Sequence, residues 1–181
     1  VVALAEDLSL AYDADAGELA LAWAGDVKLQ GAVYDTTHGP QPVHEGRPHL
    51  VARSGPAWML AGPDGTPVAA DVTWLGYRID GPVVHLRFRL EADGVEPVVV
   101  TEIPEVRRDA GRLRLERVLR VEGDTAAMLV GPNRAPAPAP AADGDAPGAA
   151  PLDTSGPPPR RHASGALLVP LPPGETVVTI P

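Results

Sequence analysis

The sequence predicts an all-β fold, an antiparallel β-sandwich of about nine to eleven short strands with a Pro/Ala-rich extended insertion. Three observations carry this expectation. Apolar and polar residues alternate at period two in segment after segment. Turn formers are dense, with 19 glycines and 22 prolines in 181 residues. Hydrophobic residues make up 44% of the chain and aromatics only 4%, a balance that favours many short elements joined by turns.

Leu8, Leu10 and Tyr12 alternate with Ser9, Ala11 and Asp13, and after the turn DADAG the residues Leu19, Leu21 and Trp23 alternate with Glu18, Ala20 and Ala22. The two segments read as a hairpin with one apolar face, which places Trp23 in the core. Val27 to Tyr34 continues as a third strand, with Gly31 marking a bulge or a close backbone approach. Asp35 to His49, DTTHGPQPVHEGRPH, breaks the pattern and reads as a polar loop stiffened by Pro40, Pro42 and Pro48.

Short edge or sheet-switching strands follow at 50–53, 57–60 and 67–73, separated by Gly/Pro turns. Trp74 to Asp80, WLGYRID, leads through Gly81-Pro82 into Val83 to Leu90, where Val84, Leu86, Phe88 and Leu90 face the core and His85, Arg87 and Arg89 face water. Val98 to Ile103 is the next strand. Arg112 to Val121 alternates as a strand does, although its Leu, Arg and Glu content also suits a helix. Thr125 to Val130 completes the first domain, 1–130. Residues 131–164 shift to Ala, Pro, Gly and Asp and read as a solvated insertion or linker, and residues 165–181 return two terminal strands to the sandwich.

Charge and composition exclude several functions. With 15 Lys plus Arg against 24 Asp plus Glu the formal charge is -9, so nucleic acid is repelled. The absence of cysteine removes disulfides, thiolate zinc sites, iron-sulfur clusters and covalent haem attachment within this chain. Apolar runs such as Ala126 to Val130 fall far short of the ~20 residues of a membrane helix. The chain opens on Val1; removal of an N-terminal export signal, and with it an extracytoplasmic location, periplasmic or secreted, is the expectation.

Ordered short motifs span roughly the first half of the chain: Ala11-Tyr12-Asp13, Ala22-Trp23-Ala24-Gly25, Tyr34-Asp35-Thr36-Thr37-His38-Gly39, Gly55-Pro56-Ala57-Trp58, Leu75-Gly76-Tyr77-Arg78 and Arg87-Phe88-Arg89. In this set the chain resembles an uncharacterised β-rich domain of exported proteins from planctomycetes, verrucomicrobia and relatives. There the domain accompanies c-type cytochrome and sugar-dehydrogenase-like modules. The resemblance implies an accessory role beside an electron-transfer complex. No CxxCH motif is present in this chain, so redox chemistry would belong to another module.

Asp35, His38, His44 and His49 are the candidate ligands of a divalent metal, because a loop can converge oxygen and imidazole donors without helical spacing. Asp35 beside His38 also has the composition of a carboxylate-oriented general base, but no GxSxG nucleophile accompanies it. Hydrogen bonding that locks the loop is the alternative for both. Trp58, Tyr77 and Arg78 are the candidate ligand or partner surface, their rings suited to sugars or to a protein. The arginines from Arg87 to Arg120 form either a positive stripe or, preferably, cross-strand pairs with Glu91, Glu102, Glu105 and Glu116.

Neither catalytic nor cofactor-binding residues are assigned, and a divalent metal is the one cofactor considered. The expected function is a non-catalytic extracytoplasmic binding or scaffolding subunit with a protein partner in a larger complex. A carbohydrate-binding module and a metal-assisted hydrolase or lyase using the Asp35–His49 loop are the alternatives.

Overall fold

The computed structural model describes residues 1–5, 8–28, 43–51, 56–109, 112–130, 153–161 and 167–180. Along the chain the strands are β1 (Val2–Ala5), β2 (Leu8–Asp13), β3 (Glu18–Ala24), β4 (Val27–Lys28), β5 (Val43–His44), β6 (Arg47–Val51), β7 (Trp58–Ala61) and β8 (Pro67–Ala69). Then come β9 (Asp71–Asp80), β10 (Val83–Ala92), β11 (Val95–Asp109), β12 (Arg112–Glu122), β13 (Ala127–Val130), β14 (Asp153–Thr154), β15 (Arg160–Arg161), β16 (Leu167–Leu171) and β17 (Gly174–Ile180). The protein is all-β, and the described strands pair antiparallel throughout.

One long sheet, ordered β14-β17-β12-β11-β10-β9, is the frame. Two smaller sheets cover its inner face: β1-β2-β3-β6, and β15-β16-β13-β7-β8. A short β4-β5 ribbon completes the set. The strand count exceeds the expected one because two-residue strands such as β4 and β14 have no periodicity to read. The segment 112–121 is strand, paired with β11 over its whole length. The alternation there puts Leu115, Leu119 and Val121 on the inner face, which a helix could not do.

The expected 131–164 insertion differs at its end. Asp153–Thr154 pairs with β17 and Arg160–Arg161 with β16, so the stretch SGPPP between them steps from one sheet to another. Both short strands sit at sheet edges, where prolines nearby interrupt no central ladder.

The inner face carries two apolar clusters. The larger joins Trp58, Leu60, Leu86, Phe88, Leu90, Val100, Leu119, Leu129 and Leu171. The smaller joins Leu10, Leu19, Ala22, Leu50 and Leu115. Tyr12 packs against both. Trp23 is fully buried, but not on the face its alternation with Leu19 predicts: the register shifts at Ala20, Leu19 joins Leu10 and Ala22, and Trp23 falls on the opposite face beside His44, its ring N–H donating to Asp26 O at 3.0 Å.

A single turn ties the smaller covering sheet to the larger core. Asp13 Oδ1 accepts from the Asp15 and Ala16 amides and shapes the β2–β3 turn. That turn ends on Gly17 at φ 60°. Gly17 is buried, its carbonyl accepts the Trp58 ring N–H at 2.8 Å, and a Cβ there would lie 2.7 Å from Val72 Cγ1 and 3.0 Å from Phe88 Cδ1. Gly17→Ala therefore combines a left-handed backbone with overpacking. The expected cost is about 2–5 kcal/mol, from ~1–2 for the backbone and ~1–3 for the clash, read as a lower urea midpoint at unchanged slope.

Candidate functional site

The two apolar clusters meet along a seam, and the seam is polar. Cross-strand register sets Leu86, Glu102, Leu119 and Thr176 in one row across the long sheet. The next inner row holds Pro104, Arg117 and Val178. Arg117 grips Glu102 bidentately, Nε to Oε1 and Nη2 to Oε2, each at 2.7 Å. The Tyr12 hydroxyl, arriving from β2, donates to Glu102 Oε1 at 2.6 Å. Glu102 is 0% and Arg117 3% exposed, so the pair survives only because every strong group is matched.

Burial pushes the Tyr12 phenol up, and the Glu102 charge pushes it further, well above the ordinary tyrosine range. Burial pulls the Arg117 guanidinium down, but Glu102 outweighs that, leaving its pKa raised. Both therefore keep their protons across the biological range. Half-buried Glu18 faces Asp13 across the β2–β3 turn; burial raises its pKa, Arg117 opposes, Asp13 adds to the rise, and the net shift is upward. Both Glu102 oxygens accept from within the Tyr12–Glu102–Arg117 cluster, and the ion pair is buried away from the surface.

The other end of the seam is open. At β9 a bulge intervenes: Trp74 faces Phe88 and Gly76 faces Arg87, leaving Leu75 as the extra residue. Because side chains alternate, the bulge reverses which residues point inward beyond it. Tyr77 falls opposite Leu86 and Ile79 opposite Val84, on the core-facing side of the sheet. Neither covering sheet reaches them, and Tyr77 is 67% and Ile79 63% exposed. Leu75 is also exposed.

β9 is an end strand of the long sheet, so among the described residues its outer edge pairs with no strand. A ten-residue edge bearing exposed apolar side chains is a template for strand addition. Arg78, on the outer face opposite His85, reaches Asp80 at 3.7 Å. This edge is the candidate functional site.

The candidate surface residues separate. Tyr77 and Arg78 lie on the open edge. Trp58 does not: it is 0% exposed and bonded to Gly17, a correction to its expected surface role, because an apolar ring with a satisfied N–H fills the core better than any residue near it. Trp74 packs against Phe88 at 5.1 Å between ring centroids, so all three tryptophans serve the interior.

Asp35 and His38 lie outside the described residues. His44 is exposed on β5 with its ring 5.8 Å from that of Trp23, and His49 stands in β6 with its side chain outside the description. Among the described residues no three His, Asp or Glu side chains gather in a metal-binding group. A shallow cavity of about 240 Å³ near the start of β9 is lined by Asp71, Glu91 and Asp93 with Ala92, Val95 and Pro97.

Of the preferred cross-strand pairs, Arg107–Glu116 and Arg117–Glu102 form between β11 and β12, whereas Glu91 and Glu105 pair along their own strands, with Arg89 and Arg107. Two further pairs join Arg120 to Glu175 and Arg87 to Glu122. Sequence reasoning missed Leu75 and Ile79; the signal available was Gly76, a glycine inside an apolar strand. It also missed that Glu102 and Arg117 are inward, since their type alone argues for solvent.

No family model, curated protein or solved structure matches the chain.

Replacing Arg117 by Met leaves Glu102 as an uncompensated buried charge, and the expected loss is about 3–5 kcal/mol in denaturant unfolding. Glu18 supplies a pH test. Its folded carboxyl holds a proton to higher pH than the unfolded chain does, so stability falls as pH rises from about 4.3 through the folded value. Glu18→Gln removes that loss: the variant should match the wild type near pH 3 and exceed it at about pH 7, by thermal melts across the range.

Proposed function

We propose that this chain is a non-catalytic binding or scaffolding module of a larger assembly outside the cytoplasm, and that a partner protein docks by adding an extended strand along β9. The observation that carries this reading is the coincidence at β9 of a free sheet edge with the exposed Leu75, Tyr77 and Ile79. Main-chain hydrogen bonds along the edge would supply affinity, and alternate side chains would supply specificity. Tyr77 adds a large apolar contact with a polar tip, the type of side chain enriched at interfaces.

A protein partner is favoured over a sugar because Trp23 and Trp58 are buried and partly buried Trp74 packs on Phe88, which leaves Tyr77, among the described residues, without a second exposed ring to form a platform. The family resemblance supports an assembly that handles electrons, with the cofactor carried by a neighbouring chain. In this proposal the module itself holds none.

Ile79→Pro tests the edge directly, because proline removes one N–H and is tolerated on an edge strand. Affinity isolation from the native source should recover a stoichiometric protein with the wild type. The Pro variant, folded by circular dichroism, should retain at least about tenfold less, equivalent to ~1.4 kcal/mol. Equal retention by both would remove β9 as the docking site.

A further inference from the structure

We propose that the strand added at β9 is β9 of a second copy of this chain, paired antiparallel about a two-fold axis through Ile79. The proposal rests on the edge-docking reading and names its occupant.

The free hydrogen-bonding groups set the register. β9 and β10 are joined by Gly81-Pro82, with Asp80 facing Val83 and Gly81 at φ 58°, the positive φ that glycine supplies at the first central position of a type II′ hairpin turn. The pair flanking such a turn is hydrogen-bonded, and bonded and non-bonded pairs alternate away from it. Asp80 and Arg78 thus direct their backbone groups toward β10. Ile79 and Tyr77 direct theirs outward, to the free edge. A partner strand must present its own free groups opposite these two.

β9 satisfies that requirement when set against itself on Ile79. The two Ile79 residues exchange both backbone bonds, and Tyr77 falls opposite Gly81 of the second copy, an aromatic ring lying over a glycine. Pro82 lacks an N–H and ends the ladder just beyond. The axis is perpendicular to the sheet, so the two long sheets become one, with the open inner patches of Tyr77, Ile79 and Val84 adjoining across it.

Charge favours the same register. Arg78 and Asp80 occupy the outer face of β9, about seven-tenths exposed, at the long separation of 3.7 Å. About the Ile79 axis each Arg78 falls opposite Asp80 of the second copy, and opposite charges directly across a ladder attract. The arrangement occurs twice by symmetry. An axis through Tyr77 would instead set Arg78 against Gly76 and Asp80 against Trp74, and both pairs would be lost.

The absence of native cysteine gives a clean test. Opposed residues in a bonded antiparallel pair have Cα atoms about 5.5 Å apart, within disulfide reach. Full-length Ile79→Cys, oxidised with copper–phenanthroline so that two thiols lose two protons and two electrons to Cu(II), should yield a covalent dimer. Thr73→Cys, exposed on the same strand beyond the bulge, should yield at least about fivefold less, since its opposite number lies across the long axis of the pair. Equal or absent cross-linking overturns the proposal.

Sedimentation equilibrium supplies the second arm. The wild type should dimerise, Arg78→Asp should weaken the dimer at least about tenfold, and the double variant Arg78→Asp/Asp80→Arg should restore it. Failure of the double variant to restore overturns the register. A wild type that stays monomeric while Ile79→Pro still releases a native partner overturns the second copy alone and leaves edge docking in place.

Discussion

Glu102 and Arg117 sit in the middle of a largely apolar face, and the Tyr12 hydroxyl joins their set of bonds. Two ions removed from water cost several kcal/mol each, and the attraction between them offsets this only when geometry and hydrogen bonding are complete. Here three donors converge on two oxygens. The consequence lies in specification more than in net stability. Glu102 belongs to β11, Arg117 to β12 and Tyr12 to β2, so the bonds form only if the long sheet is in register and the smaller covering sheet is seated on it. A one-residue slip of β12 would turn Arg117 outward and strand Glu102.

The seam also explains where the surface is left open. The large cluster covers the rows holding Phe88 and Leu90 and takes in Leu86, Leu119 and Val178, and the small cluster covers the row holding Leu115. Where the two meet, Glu102 and Arg117 are capped by Tyr12. At the β9 end the bulge at Leu75 redirects Tyr77 and Ile79 into the same gap, where no described strand covers them. The free edge is thus a product of the covering arrangement, and the site follows from the core rather than from a loop. A bulge on an edge strand commonly protects against pairing; here it lies upstream, leaving 77–80 available.

Much of the fold was legible because period-two alternation reports directly on burial. The hairpin of Leu8–Asp13 and Glu18–Ala24 and the strand Val83–Leu90 follow from it, and so does the preference for strand over helix at Arg112–Val121. The same rule failed at two kinds of place. Trp58 sits in GPAW, too close to a turn for alternation to show its side, and its burial depends on Gly17, a residue 41 positions away. Leu75 and Ile79 gave no surface signal in the sequence; the bulge at Leu75 resets the alternation and no described sheet lies over Ile79, a fact of tertiary arrangement, whereas Tyr77 was already a surface candidate. Glu102 and Arg117 were legible as partners by charge and not as a buried pair, since their inward parity became evident only with the register of β11 on β12.

A matched Tyr12–Glu102–Arg117 set should hold the two apolar clusters together as one cooperative body. Native-state hydrogen exchange compares them directly, through the amides of Leu10 and Leu19 on one side and of Phe88 and Val100 on the other. In the wild type the two groups should open with the same free energy, equal to that of global unfolding. In Arg117→Met the Leu10 and Leu19 amides should open at lower free energy than those of Phe88 and Val100. Two separate opening energies already present in the wild type, unaltered by Arg117→Met, would contradict the account.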